Sequence, residues 1–215
     1  MIQRDEPFST VFARALQGIP CRVVGLDDGP SVLPMGEWTR EADEQDLAVL
    51  AHCSGPTLDI GCGPGRMTAS LARMGHQVLG IDVVPEAVEQ TRQRGVPALL
   101  RDLYDALPDE GRWETVLLAD GNVGIGGDPV ALLRRSRELL GSFGRVVVEV
   151  AAPGTALSTR WVTLEAGEAR SRPFRWSVVG ADDIATVAAK AGLGVTTCTG
   201  VGSGDRWVSV LQVRG

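Results

Sequence analysis

The run Leu58-Asp59-Ile60-Gly61-Cys62-Gly63-Pro64-Gly65-Arg66 decides how this chain folds. Leu58 and Ile60 are spaced as the inward residues at the end of a buried strand. The glycines after them make a turn too tight for side chains, and Met67, Leu71 and Met74 then recur at helical spacing. Strand, glycine turn and helix in that order form a βα unit whose backbone N–H groups can receive an anionic or polar ligand. Next outward, Gln77-Val78-Leu79-Gly80-Ile81-Asp82 reads as a second strand ending in an acid, twenty-one residues after Gly61. A carboxylate there can accept hydrogen bonds from both hydroxyls of a ribose laid across the strand ends, so a nucleoside-containing cofactor is expected.

The nicotinamide fingerprint G-x-G-x-x-G has its third glycine where Arg66 stands here, and the extra glycine falls one place earlier, at Gly65. With Asp59 two residues before the first glycine, D-x-G-C-G-P-G resembles the first motif of the class I S-adenosylmethionine-dependent methyltransferases. Asp82 matches that family's ribose-binding acid. Asp102-Leu103, after Ala98-Leu99-Leu100, matches the pair that meets the adenine, with Leu107-Pro108 as the usual follow-up. Trp113 to Asp120 fits the fourth strand, with Trp113-Glu114 where the family commonly has Phe-Asp. The likeness is specific from about Thr57 to Val150, moderate from Ser177 to Val213, and does not cover residues 1–50 or 151–176. It implies S-adenosylmethionine as cofactor, held by Asp59, Gly61, Cys62, Gly63, Gly65, Asp82, Val83, Asp102, Leu103 and Asp120. It also implies methyl transfer to a small soluble acceptor on a seven-stranded, mostly parallel sheet.

The pattern of the chain agrees with an α/β, doubly wound arrangement. Pro85 opens a helix (Glu86 to Arg94) that Gly95 closes, and Asp128-Pro129 repeats the signal before Gly141. Arg145 to Val150 is a β-branched strand. Strands alternating with helices pair in parallel, and ligands then bind beyond the carboxyl ends of the strands, where Gly61, Asp82, Asp102 and Asp120 all fall. Two stretches stand outside this alternation. Residues 1–50 read as a short helix (Phe8, Phe12, Ala15 and Leu16, ending at Gly18), a hairpin around Asp27-Asp28-Gly29-Pro30, and a cap helix from Glu41 to His52 with Leu47, Leu50 and Ala51 inward. The acids Glu41, Asp43, Glu44 and Asp46 are read as dipole-favoured residues of its first turns. Residues 51–215 read as the cofactor-binding unit, interrupted by an inserted hairpin at about 158–176, the whole forming a single structural domain. A helix from Asp182 to Gly192 and two strands, Val195 to Cys198 and Trp207 to Val213, close the chain, the last antiparallel.

Methyl transfer from a sulfonium is an in-line displacement with a neutral leaving group. It needs a base only where the acceptor must lose a proton. Asp120 is the candidate catalytic residue, with a capping role ahead of Gly121-Asn122-Val123-Gly124 as its alternative. Candidate acceptor contacts are Trp38, Asn122, Arg160, Arg172 and Trp176. The hairpin sets four arginines against two glutamates beside Trp161, Phe174 and Trp176, which suits an anionic acceptor with an apolar body. A solvated strand face explains the same residues, and Trp38 serves equally to staple the cap helix. His52 and His76 read as structural, and nothing has the spacing of a metal site.

The net charge of −6 argues against a nucleic-acid or anionic-membrane partner. The four unpaired-looking cysteines and the charged, apolar-poor start Met1 to Glu6 fit a cytoplasmic protein. Two other functions stay open. An NAD(P)-dependent oxidoreductase suffers from the misplaced glycine and from Tyr104 lacking a lysine four residues on. A non-catalytic S-adenosylmethionine-binding or partner protein fits the lack of an assignable base.

Overall fold

The computed structural model describes residues 5–26, 29–202, 204 and 206–213; Met1 to Arg4, and Asp27 and Asp28 of the expected hairpin turn, lie outside the described residues. In chain order the elements begin with α1 (Phe8–Leu16), β1 (Cys21–Val24), β2 (Ser31–Val32), α2 (Met35–Thr39) and α3 (Glu44–Leu50). The central βα units follow as β3 (Thr57–Ile60), α4 (Arg66–Arg73), β4 (Val78–Asp82), α5 (Pro85–Gln93), β5 (Ala98–Leu100), β6 (Trp113–Leu118), α6 (Pro129–Leu139) and β7 (Leu140–Val150). The chain ends with β8 (Ser158–Ala166), β9 (Ala169–Arg170), β10 (Phe174–Val178), α7 (Ile184–Lys190), β11 (Leu193–Val201) and β12 (Arg206–Val213).

Seven strands form the main sheet in the order β11-β12-β7-β6-β3-β4-β5. Strands β3 to β7 run parallel, while β12 lies antiparallel to β7 and β11 antiparallel to β12. The α/β, doubly wound sheet expected from the alternation is the one observed. Side chains one residue apart point to opposite faces, so Leu58, Ile60, Val116 and Leu118 pack with Leu132, Leu133 and Ile184 of α6 and α7. Leu117 and Val147 pack on the other face with Leu50, Met67 and Leu71 of α3 and α4. The chain winds outward from β3 to β5 and then returns to lay β6 on the other side of β3. That reversal opens a crevice between the carboxyl ends of β3 and β6.

A second, antiparallel sheet has the order β10-β8-β1-β2, with β9 paired to β8. The N-terminal hairpin and the inserted hairpin are thus one sheet, in which Cys21 faces Ala166 and Val24 faces Thr163. Helix α1 covers it: Val11 and Ala15 pack on Val23, Val162 and Leu164. The other side of α1 packs through Leu16 on Val84 and Ala87 of the segment after β4. This places the sheet as a cap beside the edge that carries Asp82.

Several boundaries differ from the sequence reading. The expected helix Glu41 to His52 is shorter, Glu44–Leu50, because Asp43 caps α3 and starts it at Glu44: Asp43 accepts from the Asp46 N–H at 2.9 Å and Asp46 accepts from the Asp43 N–H at 3.0 Å. Leu47 faces solvent instead of the core, at 43% exposure. Strand β7 starts at Leu140, five residues before the expected Arg145, because Trp113 of β6 offers a partner to Leu140. Among the described residues no helix is long and apolar enough to cross a membrane.

Candidate active site

The glycine turn after β3 has Gly61, Gly63 and Gly65 at φ of +69°, +54° and +83°, the left-handed region that side chains disfavour. Their other constraints differ. A Cβ on Gly65 would stand 2.7 Å from the Thr91 Oγ1 and 2.9 Å from its Cα, so this glycine lets α4 approach α5. Close helix packing, which the nicotinamide fingerprint assigns to its third glycine, is met here one position early, and Arg66 is free to carry a side chain. A Cβ on Gly63 would meet nothing within 4 Å. The backbone at Gly63 therefore borders open space, the property of a ligand cradle.

Asp82 faces this turn from the end of β4. Its Oδ2 accepts from the Gly63 N–H at 3.0 Å and its Oδ1 from the Val84 N–H at 2.9 Å. Burial pushes its carboxyl above the ordinary carboxylate range, against those backbone donors. Each oxygen keeps a lone pair for a further donor. Val83 beside it is 44% exposed, an apolar surface next to the acid. Asp102 is exposed after β5 and accepts from the Tyr104 N–H at 2.9 Å, whereas Leu103 is buried in the core.

Two of the expected contacts lie beneath the turn. Asp59 is wholly buried on the α4 face, accepts from Thr68 Oγ1 at 2.6 Å, and is pushed up to about 7, first by burial and then by the charges of Asp120 and Asp82. Cys62 is buried with its Sγ 3.7 Å from Thr91 Oγ1, and burial raises its thiol well above the usual range. Both support the turn from inside. His76 is likewise engaged, its Nδ1 lying 3.1 Å from the Gly55 carbonyl.

Asp120, two residues beyond the end of β6, has a left-handed conformation at φ +51°. Its carboxylate is taken by Arg66, whose Nη2 donates to both oxygens at 2.8 and 2.6 Å. Asn122 turns back toward the glycines and donates from Nδ2 to the Ile60 and Gly61 carbonyls at 2.9 and 3.0 Å. The side chain of Asn122 thus fastens the loop after β6 to the glycine turn.

The cap brings some of the other candidates near this loop and leaves some apart. Trp176 lies opposite Arg160 across β10 and β8 and packs against Gly124, where a Cβ would come within 2.9 Å of the indole. Trp38 sits in α2, its ring centroid 6.0 Å from that of Phe12, within an aromatic group that continues to Phe8 and Phe174. Arg172 pairs its N–H with the Glu6 carbonyl before the start of α1. Arg160 and Arg172 are exposed, and neither makes an ion pair within the described residues.

One feature escaped the sequence reading. Asp46, whose place near a helix start suggests only a dipole-favoured acid, is completely buried and accepts from Arg40 and Arg206 at 2.6 Å each and from Arg66. Burial alone would raise its carboxyl, but the three guanidiniums hold it well below the usual range. Arg206 also grips Glu149 with a two-pronged contact, Nε to Oε1 and Nη2 to Oε2 at 2.7 Å each. Glu149 in turn accepts from the Asp120 N–H at 2.9 Å. Asp46, Arg66, Asp120, Glu149 and Arg206 close a ring of contacts joining α3, α4 and the ends of β6, β7 and β12. The one sequence signal was Arg66 itself, a charged residue directly behind a glycine turn.

Residues 57–144 match a family described as a methyltransferase domain. A ubiquinone biosynthesis O-methyltransferase of Xanthomonas oryzae pv. oryzae is 31% identical over 96 residues, which is 41% of this chain and 40% of that one. The chain thus spans about two fifths of the curated relative's length. Among solved structures, a methyltransferase of Bacteroides fragilis in complex with S-adenosyl-L-homocysteine superposes with a TM-score of 0.82 at 21% identity, covering 98% of this chain and 96% of that one. A Burkholderia thailandensis 1,6-didemethyltoxoflavin-N1-methyltransferase with bound 1,6-didemethyltoxoflavin and S-adenosylhomocysteine gives a TM-score of 0.63 at 18% identity, covering 90% of this chain and 96% of that one. Residues 57–144 are thus similar to a methyltransferase domain, and the chain shares the fold of these solved methyltransferases.

Proposed function

We propose that this protein transfers a methyl group from S-adenosylmethionine to a small soluble acceptor. The observation that carries the reading is the pairing of Gly63, open on its Cβ side, with Asp82 at the adjacent carboxyl ends of β3 and β4. Gly61 and Gly63 would let the backbone approach the donor, Asp82 would take the ribose hydroxyls, and Val83 would lie against the adenine. The bound donor supplies an electrophilic methyl on a sulfonium, whose departure as a neutral thioether requires no acid. The protein's share is to hold the acceptor in line and exclude water, and such positioning is worth up to roughly 7–11 kcal/mol in well-oriented systems.

With its carboxylate paired to Arg66, Asp120 serves better as an anchor of the loop than as a base. Acceptors that are nucleophilic without deprotonation suit such a site. The cap supports an acceptor with a flat apolar body and an anionic group, since Trp176 lies at the loop after Asp120 while Arg160 and Arg172 stay without internal ion pairs in the described residues. Calorimetry tests the donor reading directly: S-adenosylhomocysteine should bind saturably and NADH should not. Saturable NADH binding with no response to S-adenosylhomocysteine would overturn it in favour of an oxidoreductase.

A further inference from the structure

We infer that Arg206, on the last strand, is a positioning residue for the glycine turn, acting through Glu149, Asp120 and Asn122. The route runs through hydrogen bonds and one short backbone step from Asp120 to Asn122. The Arg206 fork fixes both oxygens of Glu149, and Glu149 Oε2 holds the Asp120 N–H. Two residues on, the Asn122 amide holds the Ile60 and Gly61 carbonyls. The Asp120 backbone stands at φ +51°, a conformation that a non-glycine residue keeps only when its surroundings enforce it. Glu149 on its N–H and Arg66 on its carboxylate are those surroundings.

The ring also explains why charge sits at this depth. A buried ion pair stabilises little once desolvation is counted, yet a closed set of paired charges fixes geometry strictly. Arg206 reaches Asp46 of α3 through Nη1, so the same residue links the segment leading from the cap to the turn. Lysine would keep the charge but lose the planar fork that grips Glu149 and Asp46 together.

The inference rests on the donor site proposed above, and its test has one arm that does not use the donor. In ligand-free protein, Arg206→Lys should speed amide hydrogen exchange at Gly61, Cys62, Gly63 and Gly65 relative to amides of equal stability in β3 and β4. Calorimetry should show S-adenosylhomocysteine binding weakened about tenfold by Arg206→Lys and by Asn122→Ala, with the double variant no weaker than about the worse single one, since residues on one path are not additive. Should Arg206→Lys not fold, Glu149→Gln takes its place in both arms. Unchanged exchange at the turn, or single effects that multiply in the double variant, would overturn the inference. Faster exchange at the turn in a protein whose wild type ignores S-adenosylhomocysteine would sustain the positioning role and sink the donor reading instead.

Discussion

The proposed donor edge of the main sheet and the inserted hairpin beside it use arginine in opposite ways. At the donor edge Arg66 is almost fully buried and Arg206 largely so, and both are locked to Asp46, Asp120 and Glu149. In the cap, Arg160, Arg170, Arg172 and Arg175 are exposed and form no ion pair within the described residues. A guanidinium taken out of water must be paired, so the first group is committed to architecture. An exposed, unpaired one costs nothing to keep and is available to an incoming anion. On the proposed function, the contrast separates residues that hold the site's geometry from residues that would meet the acceptor.

The sharpest way to break this contrast is at the turn. Gly63→Val would put a branched side chain into the open space by Asp82 and force it into the left-handed region. Donor affinity should fall by at least about 1,000-fold, while the fold survives a backbone cost of roughly 1–2 kcal/mol. Circular dichroism beside calorimetry separates the two effects, and near-native affinity in a folded variant would move the site elsewhere. Next in size, Asp82→Ala should weaken S-adenosylhomocysteine binding by about 1.5–3 kcal/mol, the scale of hydrogen bonds to a charged group. An unchanged dissociation constant would mean that the ribose is held by other residues.

A pH experiment sharpens the same edge from beneath. Asp59 has a folded pKa of about 7 against an ordinary value of 3.8, so the native protein binds more protons than the unfolded chain between those limits. Its contribution therefore declines as pH rises from about 4 to 7 and levels off above. Asp46, held low, works the other way and loses its stabilisation in stronger acid. Asp59→Asn should remove a decline of roughly 2 kcal/mol over pH 4–7 in chemical denaturation, about half of the full linkage. Parallel pH profiles for wild type and variant would show that Asp59 does not titrate there.

The smallest effect belongs to the cap. Once an accepted substrate is known, Arg160→Ala and Arg172→Ala should each raise the acceptor KM by up to about tenfold, leaving donor affinity untouched. Initial-rate kinetics with the donor saturating would show this. A best acceptor that is neutral or cationic, or full activity in both variants, would make the cap arginines a solvated face and nothing more.

Features that depend on neighbours along the chain are legible in the sequence alone. The βα order, the glycines at 61, 63 and 65, the acid closing β4 and the Pro-first, Gly-last helix ends are local patterns with local physical causes, and each is legible without coordinates. The finer helix limits were less so: the cap at Asp43 competes with the longer apolar period around it, and only the hydrogen bonds show which won. Tertiary structure alone decided the rest. The N-terminal and inserted hairpins share one sheet through residues such as Arg22 and Glu165, 143 positions apart, and β-pairing leaves no mark of its partner in either strand. Asp46 reads as an ordinary surface acid near a helix start, because burial by Arg66 and Arg206 is a property of the assembled edge. Charges separated by 160 residues meet there, and the desolvation that obliges them to pair exists only once the strands have brought them together.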